Sequence, residues 1–277
     1  MRLSPVPLIA YPYCKINLGL QVLGKRPDGY HDIETIFVPV FDMRDTLIIT
    51  ESDTPQMIQD GFPLDNAPED NLCMKAWQLL HDEFGVPPVT IRLLKCIPFG
   101  AGLGGGSSDA AFTLNLLNQR YLKLTIPHLR QYAAKLGADC AFFVQKNVYN
   151  NLGRGLVYAT GKGDQLKPLG RIDLKGYRIV IEMPKGEHVS TKDAYAGLNH
   201  YLFGQSRIKL TKAIGQPIEE WRHLIVNDFE ASVFPAHPAI AELKYDMYRR
   251  GAVYASMTGS GAAVFGIFKN EKFGGLK

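Results

Sequence analysis

The spacing of apolar residues along the chain predicts both strands and helices. Alternating polar and apolar residues, or short runs rich in Val, Ile and Phe, are typical of strands. They occur at 15–23, 34–41, 46–50, 89–97, 177–183, 253–257 and 263–268. Apolar residues three and four positions apart are typical of helices. They occur at 71–84, from Ser108 through Tyr121, and at 127–136, 192–198, 219–234 and 238–250. The remaining long segments, 51–70, 145–165 and 202–217, are expected to be loops or irregular.

The order of these elements bears on the fold class. Strands and helices come in blocks rather than in strict alternation, which favours an α+β fold with mixed sheets over a doubly wound one. The 277 residues suffice for one large domain or two modest ones. We expect the boundary within 150–170, which gives domains 1–165 and 166–277.

Composition and charge exclude several classes of protein. The formal charge of +4 is too small to indicate a nucleic-acid partner, although it suits a small anionic substrate. No segment reaches the roughly 18 uninterrupted apolar residues of a membrane span. The first ten residues lack the apolar core of a signal peptide. We therefore expect a soluble, cytoplasmic protein without a nucleic-acid or membrane partner.

The cysteines do not predict a metal site. Cys14, Cys73, Cys96 and Cys140 are far apart in the sequence, and no CxxC or Cys/His pair has the spacing of zinc ligands. Each lies in an apolar stretch. Buried free thiols in a reducing compartment are the expected state.

A glycine-rich turn, Gly100–Ser108, is the strongest chemical signal in the chain. Glycines let the backbone approach a phosphate closely, and a following helix adds N–H donors and its dipole. The turn follows a predicted strand and precedes a predicted helix. It is therefore expected to bind phosphate, with Ser107 or Ser108 as helix cap and their hydroxyls available to phosphate or Mg²⁺.

Other phosphate-binding motifs match this turn less well. Gly100, Gly102 and Gly105 fit the dinucleotide fingerprint, but no acidic residue lies near position 120, where the ribose would be bound. No lysine precedes Ser107, as a Walker A motif requires, and HRD and DFG are absent. A tight turn without a ligand is disfavoured, because five glycines in seven residues carry an entropic cost.

The turn and two further motifs resemble those of the GHMP kinases. The string Pro98–Ala111 (PFGAGLGGGSSDAA) resembles the second motif of that superfamily, Lys15–Leu18 the first, and Thr258–Ala262 the C-terminal one. The strings KINLGL, RPDGYH and GADCAFF narrow the resemblance to one branch. That branch uses ATP to phosphorylate the 2-hydroxyl of a small cytidine diphosphate substrate in the non-mevalonate isoprenoid pathway.

The resemblance implies a fold and an assembly. The fold is the two-domain GHMP kinase fold. Its N-terminal ATP-binding domain resembles the ribosomal protein S5 domain 2-like fold, and its C-terminal domain is a ferredoxin-like α/β sandwich. ATP and Mg²⁺ are the implied cofactors, without a metal cage made by protein alone. A monomer or homodimer is expected.

The resemblance also implies roles for individual residues. Asp139 is the expected base and Lys15 its cationic partner. The expected ATP-binding residues are Asn71, Lys95, Pro98, Gly100, Ala101, Gly102, Leu103, Gly104, Gly105, Gly106, Ser107 and Ser108. The expected substrate-binding residues are Asn17, Tyr30, His31, Thr191, Tyr195 and Gly259. Another GHMP kinase, for mevalonate or homoserine, and a nucleotide-binding protein without kinase activity are the alternatives.

Some of these residues also have plain structural interpretations. Without the motifs, Asp139 would be a turn cap and Lys15 a solvated residue at the start of a strand. Asn71 could be a helix N-cap and Lys95 an exposed strand residue.

Overall fold

The structure is a computed structural model that describes residues 6–63, 67–144, 155–171, 174–198 and 207–270. The strands are β1 (Leu8–Ala10), β2 (Tyr13–Lys25), β3 (His31–Arg44), β4 (Thr46–Glu51), β5 (Gln56–Gly61), β6 (Val89–Lys95), β7 (Gly155–Thr160), β8 (Gln165–Arg171), β9 (Tyr177–Glu182), β10 (Ala252–Met257) and β11 (Val264–Lys269). The helices are α1 (Leu72–Phe84), α2 (Gly105–Leu117), α3 (Ile126–Leu136), α4 (Cys140–Phe143), α5 (Thr191–Ala196), α6 (Leu210–Ala213), α7 (Trp221–Leu224), α8 (Phe229–Ala236) and α9 (Pro238–Arg249). The predicted α+β class is confirmed, since β5 pairs in parallel with β6 while β1, β4 and β6 pair antiparallel.

The chain forms two compact units, and each unit consists of three segments that are not contiguous in the sequence. The first unit comprises Met1–Lys15, Pro39–Phe99 and Leu103–Arg154; the second comprises Ile16–Val38, Gly100–Gly102 and Gly155–Lys277. The glycine turn therefore contributes residues to both units. The division into domains 1–165 and 166–277 stays a prediction.

The first unit is built on the sheet with strand order β1-β4-β6-β5. Side chains alternate between its faces, so β6 buries Val89, Ile91 and Leu93, and the same period places Lys95 on the buried face. Helix α2 is buried along nearly its whole length. The ring of Tyr13 packs against Phe112 of α2 and Phe143 of α4, with centroids 5.6 Å apart in both pairs. This packing fixes α4, which directly follows Asp139.

The second unit contains the sheet β10-β11-β9 and most of the sheet β2-β3-β7-β8. Its core joins β2, β10 and β11 to helices α8 and α9 through buried side chains that include Leu20, Val22, Phe229, Val233, Ile240, Met247, Met257 and Val264. The predicted turn at Arg26–Gly29 connects β2 to β3: Gly29 has φ +84° and donates to the carbonyl of Arg26 at 3.1 Å. Tyr30 and His31 follow directly.

Three segments expected to be irregular contain regular structure. Strand β5 lies within 51–70 and pairs with β6. This polar segment is a strand because of that pairing and not because of its own sequence pattern. Strands β7 and β8 lie within 145–165 and just after it; they form a hairpin whose turn holds Gly161 and Gly163, glycines that obscured the strand pattern. Helix α6 lies within 202–217. Positions 64–66, 145–154 and 202–206 of these segments lie outside the described residues.

Two smaller expectations are also wrong. Helix α2 ends at Leu117, and 118–122 form one wider helical turn, so Tyr121 does not continue its apolar face. All four cysteines are free, but Cys96 is exposed, because it follows the last residue of β6. Over the residues described, no helix has the length and apolarity needed to cross a membrane.

Candidate active site

Lys15 and Asp139 form an ion pair in the first unit. The Lys15 ammonium nitrogen lies 3.3 Å from a carboxylate oxygen of Asp139. Lys15 is 3% exposed and Asp139 31%, so the cation is enclosed while the carboxylate remains accessible. Asp139 precedes α4 but makes no side-chain cap hydrogen bond there. Its carboxylate is therefore available for chemistry.

The ion pair lies beside the glycine turn. The backbone N–H of Lys15 donates to the carbonyl of Leu103 at 2.9 Å. A Cβ placed on Gly104 would lie 3.1 Å from Lys15 Cε, so the turn and this lysine are in close contact. The positive charge is thus fixed directly against the turn.

Gly104, with φ +70°, is the N-cap of α2, and no side chain caps this helix. The expectation that Ser107 or Ser108 is the cap is wrong, because both lie inside the first turn. A capping side chain would occupy the first N–H groups of the helix, whereas glycine leaves them uncovered. The N-terminus of α2 is therefore suited to an anion.

The beginning of the turn, Gly100–Gly102, packs within the second unit against the C-terminal glycine motif. The carbonyl oxygen of Gly102 lies 3.3 Å from the hydroxyl of Thr258, and Ala263 donates to the carbonyl of Ala101 at 3.2 Å. A Cβ on Gly259 would lie 3.0 Å from Gly102 Cα. The motif therefore supports this part of the turn.

Replacing Gly102 with Ala is expected to destabilise the second unit. Gly102 has φ +72°, and an added Cβ would lie 2.1 Å from the carbonyl oxygen of Thr258. The left-handed conformation costs about 1–2 kcal/mol for an L residue, and the clash adds about 1–3 kcal/mol. Gly186→Ala is the matched control, because Gly186 has φ +81° and open space around it. Urea unfolding of both variants measures the difference; equal losses of stability would show that the contact with Thr258 is unimportant.

Asn17 is buried in the second unit, and protein groups engage its side chain. Its amide nitrogen donates to the hydroxyl of Thr35 at 2.9 Å, and its backbone N–H donates to the hydroxyl of Thr258 at 3.0 Å. Asn17 is 2% exposed. It connects strands β2 and β3 to the C-terminal glycine motif, and its predicted substrate contact stays a prediction.

The predicted aromatic residues line one pocket of the second unit. The rings of His31 and Tyr195 stack on each other with centroids 4.4 Å apart and an angle of 13°. Tyr30 is 60% exposed. The cavity, of about 590 Å³, is lined by Lys25, Gly29, Tyr30, His31, Lys162, Thr191, Lys192, Tyr195 and Ala196. The structure thus brings together four predicted residues that are far apart in the sequence: Tyr30, His31, Thr191 and Tyr195.

Sequence reasoning missed the lysines of this pocket. Lys25 ends β2, Lys192 lies in α5, and Lys162 lies in the turn between β7 and β8, with its ammonium 4.5 Å from the centre of the Tyr30 ring. Lys192 directly follows the predicted Thr191, which was the one signal available. Three ammonium groups around one cavity favour an anionic ligand.

Asn71 and Lys95 have structural partners in the first unit. The side-chain oxygen of Asn71 accepts from the N–H of Cys73 at 2.8 Å, which makes Asn71 the N-cap of α1. Lys95 is 3% exposed and forms ion pairs with Asp45 and Asp109. Its ammonium is enclosed by the protein, in contrast to an exposed strand residue. ATP contacts by these two residues stay predictions.

Two thiols adjoin the ion pair in sequence and are not candidate nucleophiles. Burial raises the pKa of Cys14 to about 12 and that of Cys140 to about 12. Both thiols therefore stay neutral near pH 7, and a neutral thiol is a weak nucleophile.

Comparisons with known proteins identify the family of this chain. The family model for the GHMP kinases N terminal domain matches residues 71–147, and that for the GHMP kinases C terminal matches 209–272. A 4-diphosphocytidyl-2-C-methyl-D-erythritol kinase of Bacteroides thetaiotaomicron is 46% identical over 269 residues, covering 95% of this chain and 93% of the relative. One of Porphyromonas gingivalis is 45% identical, covering 95% and 93%.

Solved structures show the same relationship. A crystal structure of 4-(cytidine 5'-diphospho)-2C-methyl-D-erythritol kinase aligns with a TM-score of 0.74 at 30% identity, over 94% of this chain and 89% of that one. A homoserine kinase from Cytophaga hutchinsonii aligns with a TM-score of 0.65 at 17% identity, over 98% and 88%, which shows the shared fold alone. The chain belongs to the 4-diphosphocytidyl-2-C-methyl-D-erythritol kinase family within the GHMP kinases.

Proposed function

We propose that the protein transfers the γ-phosphoryl group of ATP to the 2-hydroxyl of 4-diphosphocytidyl-2-C-methyl-D-erythritol. The observation that carries this proposal is the Lys15–Asp139 ion pair, 3.3 Å across, held against the glycine turn. Phosphoryl transfer requires positioning, neutralisation of charge and an acceptor for the hydroxyl proton. The turn, the lysine and the aspartate supply these three in one place.

In this mechanism Asp139 accepts the proton of the substrate hydroxyl. The hydroxyl oxygen then forms the new bond to phosphorus as the bond to the leaving ADP oxygen breaks. Lys15 orients the Asp139 carboxylate and stabilises negative charge on the transferring group. Its ammonium is 3% exposed, so its field is weakly screened by water.

We place the ATP phosphates at the N-terminus of α2, where no side chain caps the first N–H groups. Mg²⁺ suits this donor set. Over the described residues no group of three or more acidic, His or Cys side chains could hold a metal ion, and Mg²⁺ typically keeps phosphate oxygens and waters as ligands. Ser107, in the first turn of α2, would add a hydroxyl ligand to its shell. When bound, the ion would neutralise charge on the β- and γ-phosphates.

We place the cytidine diphosphate part of the substrate in the pocket of the second unit that Tyr30, His31 and Tyr195 line. A pyrimidine can stack on Tyr30 or Tyr195, and polar groups beside His31 can bind its edge. Lys25, Lys162 and Lys192 suit the two phosphates of this substrate. Since His31 and Tyr195 contact each other, the base would stack on an outer ring face or separate the two rings.

Tyr195→Ala is expected to weaken binding of the cytidine substrate without impairing the chemical step. Base–aromatic stacking contributes about 1–3 kcal/mol, so KM for this substrate should rise about 5- to 150-fold with kcat little changed. Steady-state kinetics measure both parameters. Tyr245→Ala is the control, because Tyr245 is a tyrosine of α9 that is 56% exposed. An unchanged KM in Tyr195→Ala would show that the base does not stack on Tyr195.

The proposed function is tested by incubating the protein with ATP, Mg²⁺ and, in separate reactions, the cytidine substrate, mevalonate or homoserine. ADP release with the cytidine substrate alone is the expected result. ADP release only with mevalonate or only with homoserine would show that this compound, and not the cytidine compound, is the substrate. Release with none of them would favour a nucleotide-binding protein without kinase activity. A cytoplasmic location, a monomeric or homodimeric state and the lack of a nucleic-acid partner stay predictions.

A further inference from the structure

Three buried ionisable side chains lie close to the glycine turn in the first unit: Asp45, Lys95 and Asp109. The ammonium of Lys95 contacts a carboxylate oxygen of Asp45 and lies 2.7 Å from one of Asp109. All three residues are at most 3% exposed. They come from three separate parts of the chain, namely the segment between β3 and β4, the end of β6, and α2.

Each acidic residue is fixed to one flank of the turn. The second carboxylate oxygen of Asp45 accepts the backbone N–H groups of Cys96 and Ile97, at 2.6 and 2.8 Å, just before the turn. Asp109 belongs to α2, just after the turn. Lys95 joins the two carboxylates. The incoming and outgoing backbone of the turn are therefore connected through one ammonium group.

Lys95 also supports the turn from below. A Cβ placed on Gly105 would lie 3.2 Å from its ammonium nitrogen, so the charge lies directly under the first residue of α2. Lys95 reaches this place because it continues the buried face of β6 after Leu93. Its donors face two carboxylates in an enclosed site, which favours an action on ATP through the backbone rather than by contact.

We propose that Asp45, Lys95 and Asp109 form a buried clamp that holds the two flanks of the glycine turn in the phosphate-binding conformation. These are positioning residues, and the inference rests on the proposed use of ATP at this turn. The clamp acts on affinity for ATP more than on the chemical step, because Asp45 binds the backbone just before the turn and Asp109 lies in the helix just after it. One carboxylate oxygen of Asp109 accepts from Lys95, and the other has no hydrogen-bond partner among the described residues.

The clamp is tested with Lys95→Met, Asp109→Ala and Asp109→Asn. Asparagine keeps an oxygen that can accept from Lys95, whereas alanine and methionine break the connection. Lys244→Met is the matched control, because Lys244 forms a partly buried ion pair with Glu230, 2.5 Å across, in the second unit. Two quantities are measured: hydrogen exchange of the amides of 96–108 in the protein without nucleotide, and KM for ATP against kcat.

Amide exchange in 96–108 should rise at least about tenfold in Lys95→Met and Asp109→Ala, with KM for ATP up about tenfold and kcat within about threefold. Asp109→Asn and Lys244→Met should stay close to the wild type in both. Unchanged exchange and KM in folded Asp109→Ala, or equal effects of Asp109→Ala and Asp109→Asn, would overturn the clamp. If Lys95→Met does not fold, the two Asp109 variants decide. A wild type that binds no ATP would contradict the proposed function, whereas the exchange measurement needs no ATP and decides the clamp separately.

Discussion

Asp139→Asn is expected to lower kcat by about 10²–10⁴-fold while KM for ATP stays within about threefold. The amide matches the carboxylate in shape but cannot accept the hydroxyl proton. The Asp139 side chain makes no cap hydrogen bond to α4, so the substitution does not remove a contact that stabilises this helix. ADP release under saturating substrates measures kcat, and nucleotide titration measures binding.

Asp82→Asn is the control for this variant. Asp82 is an exposed residue of α1 in the same unit, so the same chemical change there should leave kcat unaltered. A kcat of Asp139→Asn near that of the wild type would show that another group accepts the proton.

Lys15→Met is expected to lower kcat by about 10²–10³-fold, the loss typical of removing a preorganised donor from a buried site. Methionine retains much of the length of the side chain and lacks the charge. Asp139 is 31% exposed and stays solvated without its partner, so the loss of stability should be small. Thermal unfolding measured beside kcat separates the two effects.

Lys135→Met is the matched control for this substitution. Lys135 is an exposed residue in the last turn of α3, in the same unit, and only the charge at Lys15 should matter for turnover. If both lysine variants keep the kcat of the wild type, the ammonium of Lys15 has no part in phosphoryl transfer.

Local periodicity predicted much of the fold correctly. The strands around Lys15, Val89 and Tyr177 and the helices α1, α3 and α9 lie close to their expected bounds, because each carries a clear apolar period. Strand β5 could not be predicted, since its residues 56–61 are mostly polar and pairing with β6 makes them a strand. The β7–β8 hairpin was hidden by its glycines. Such elements are set by tertiary partners, which a local pattern does not contain.

The sites divide in the same way. The motifs named Lys15, Asp139 and the glycine turn, and folding places the first two 3.3 Å apart. The N-cap at Gly104 was missed because serine is the commoner cap, whereas an anion site benefits from an uncovered helix end. No local sequence pattern marks Lys162 as a pocket residue, or Asp45, Lys95 and Asp109 as a cluster. These residues come together only when distant segments of the chain pack against each other.

The position of the new phosphate tests the central claim most directly. Carbon 2 of the methylerythritol moiety carries a methyl group and no hydrogen, so a phosphate on its hydroxyl gives a single line in a proton-coupled ³¹P NMR spectrum. Phosphate on a primary hydroxyl gives a triplet, and on a secondary hydroxyl a doublet. We expect the wild-type protein, supplied with ATP, Mg²⁺ and 4-diphosphocytidyl-2-C-methyl-D-erythritol, to produce the single line. A doublet or triplet, or no new phosphomonoester signal at all, would contradict the proposed function.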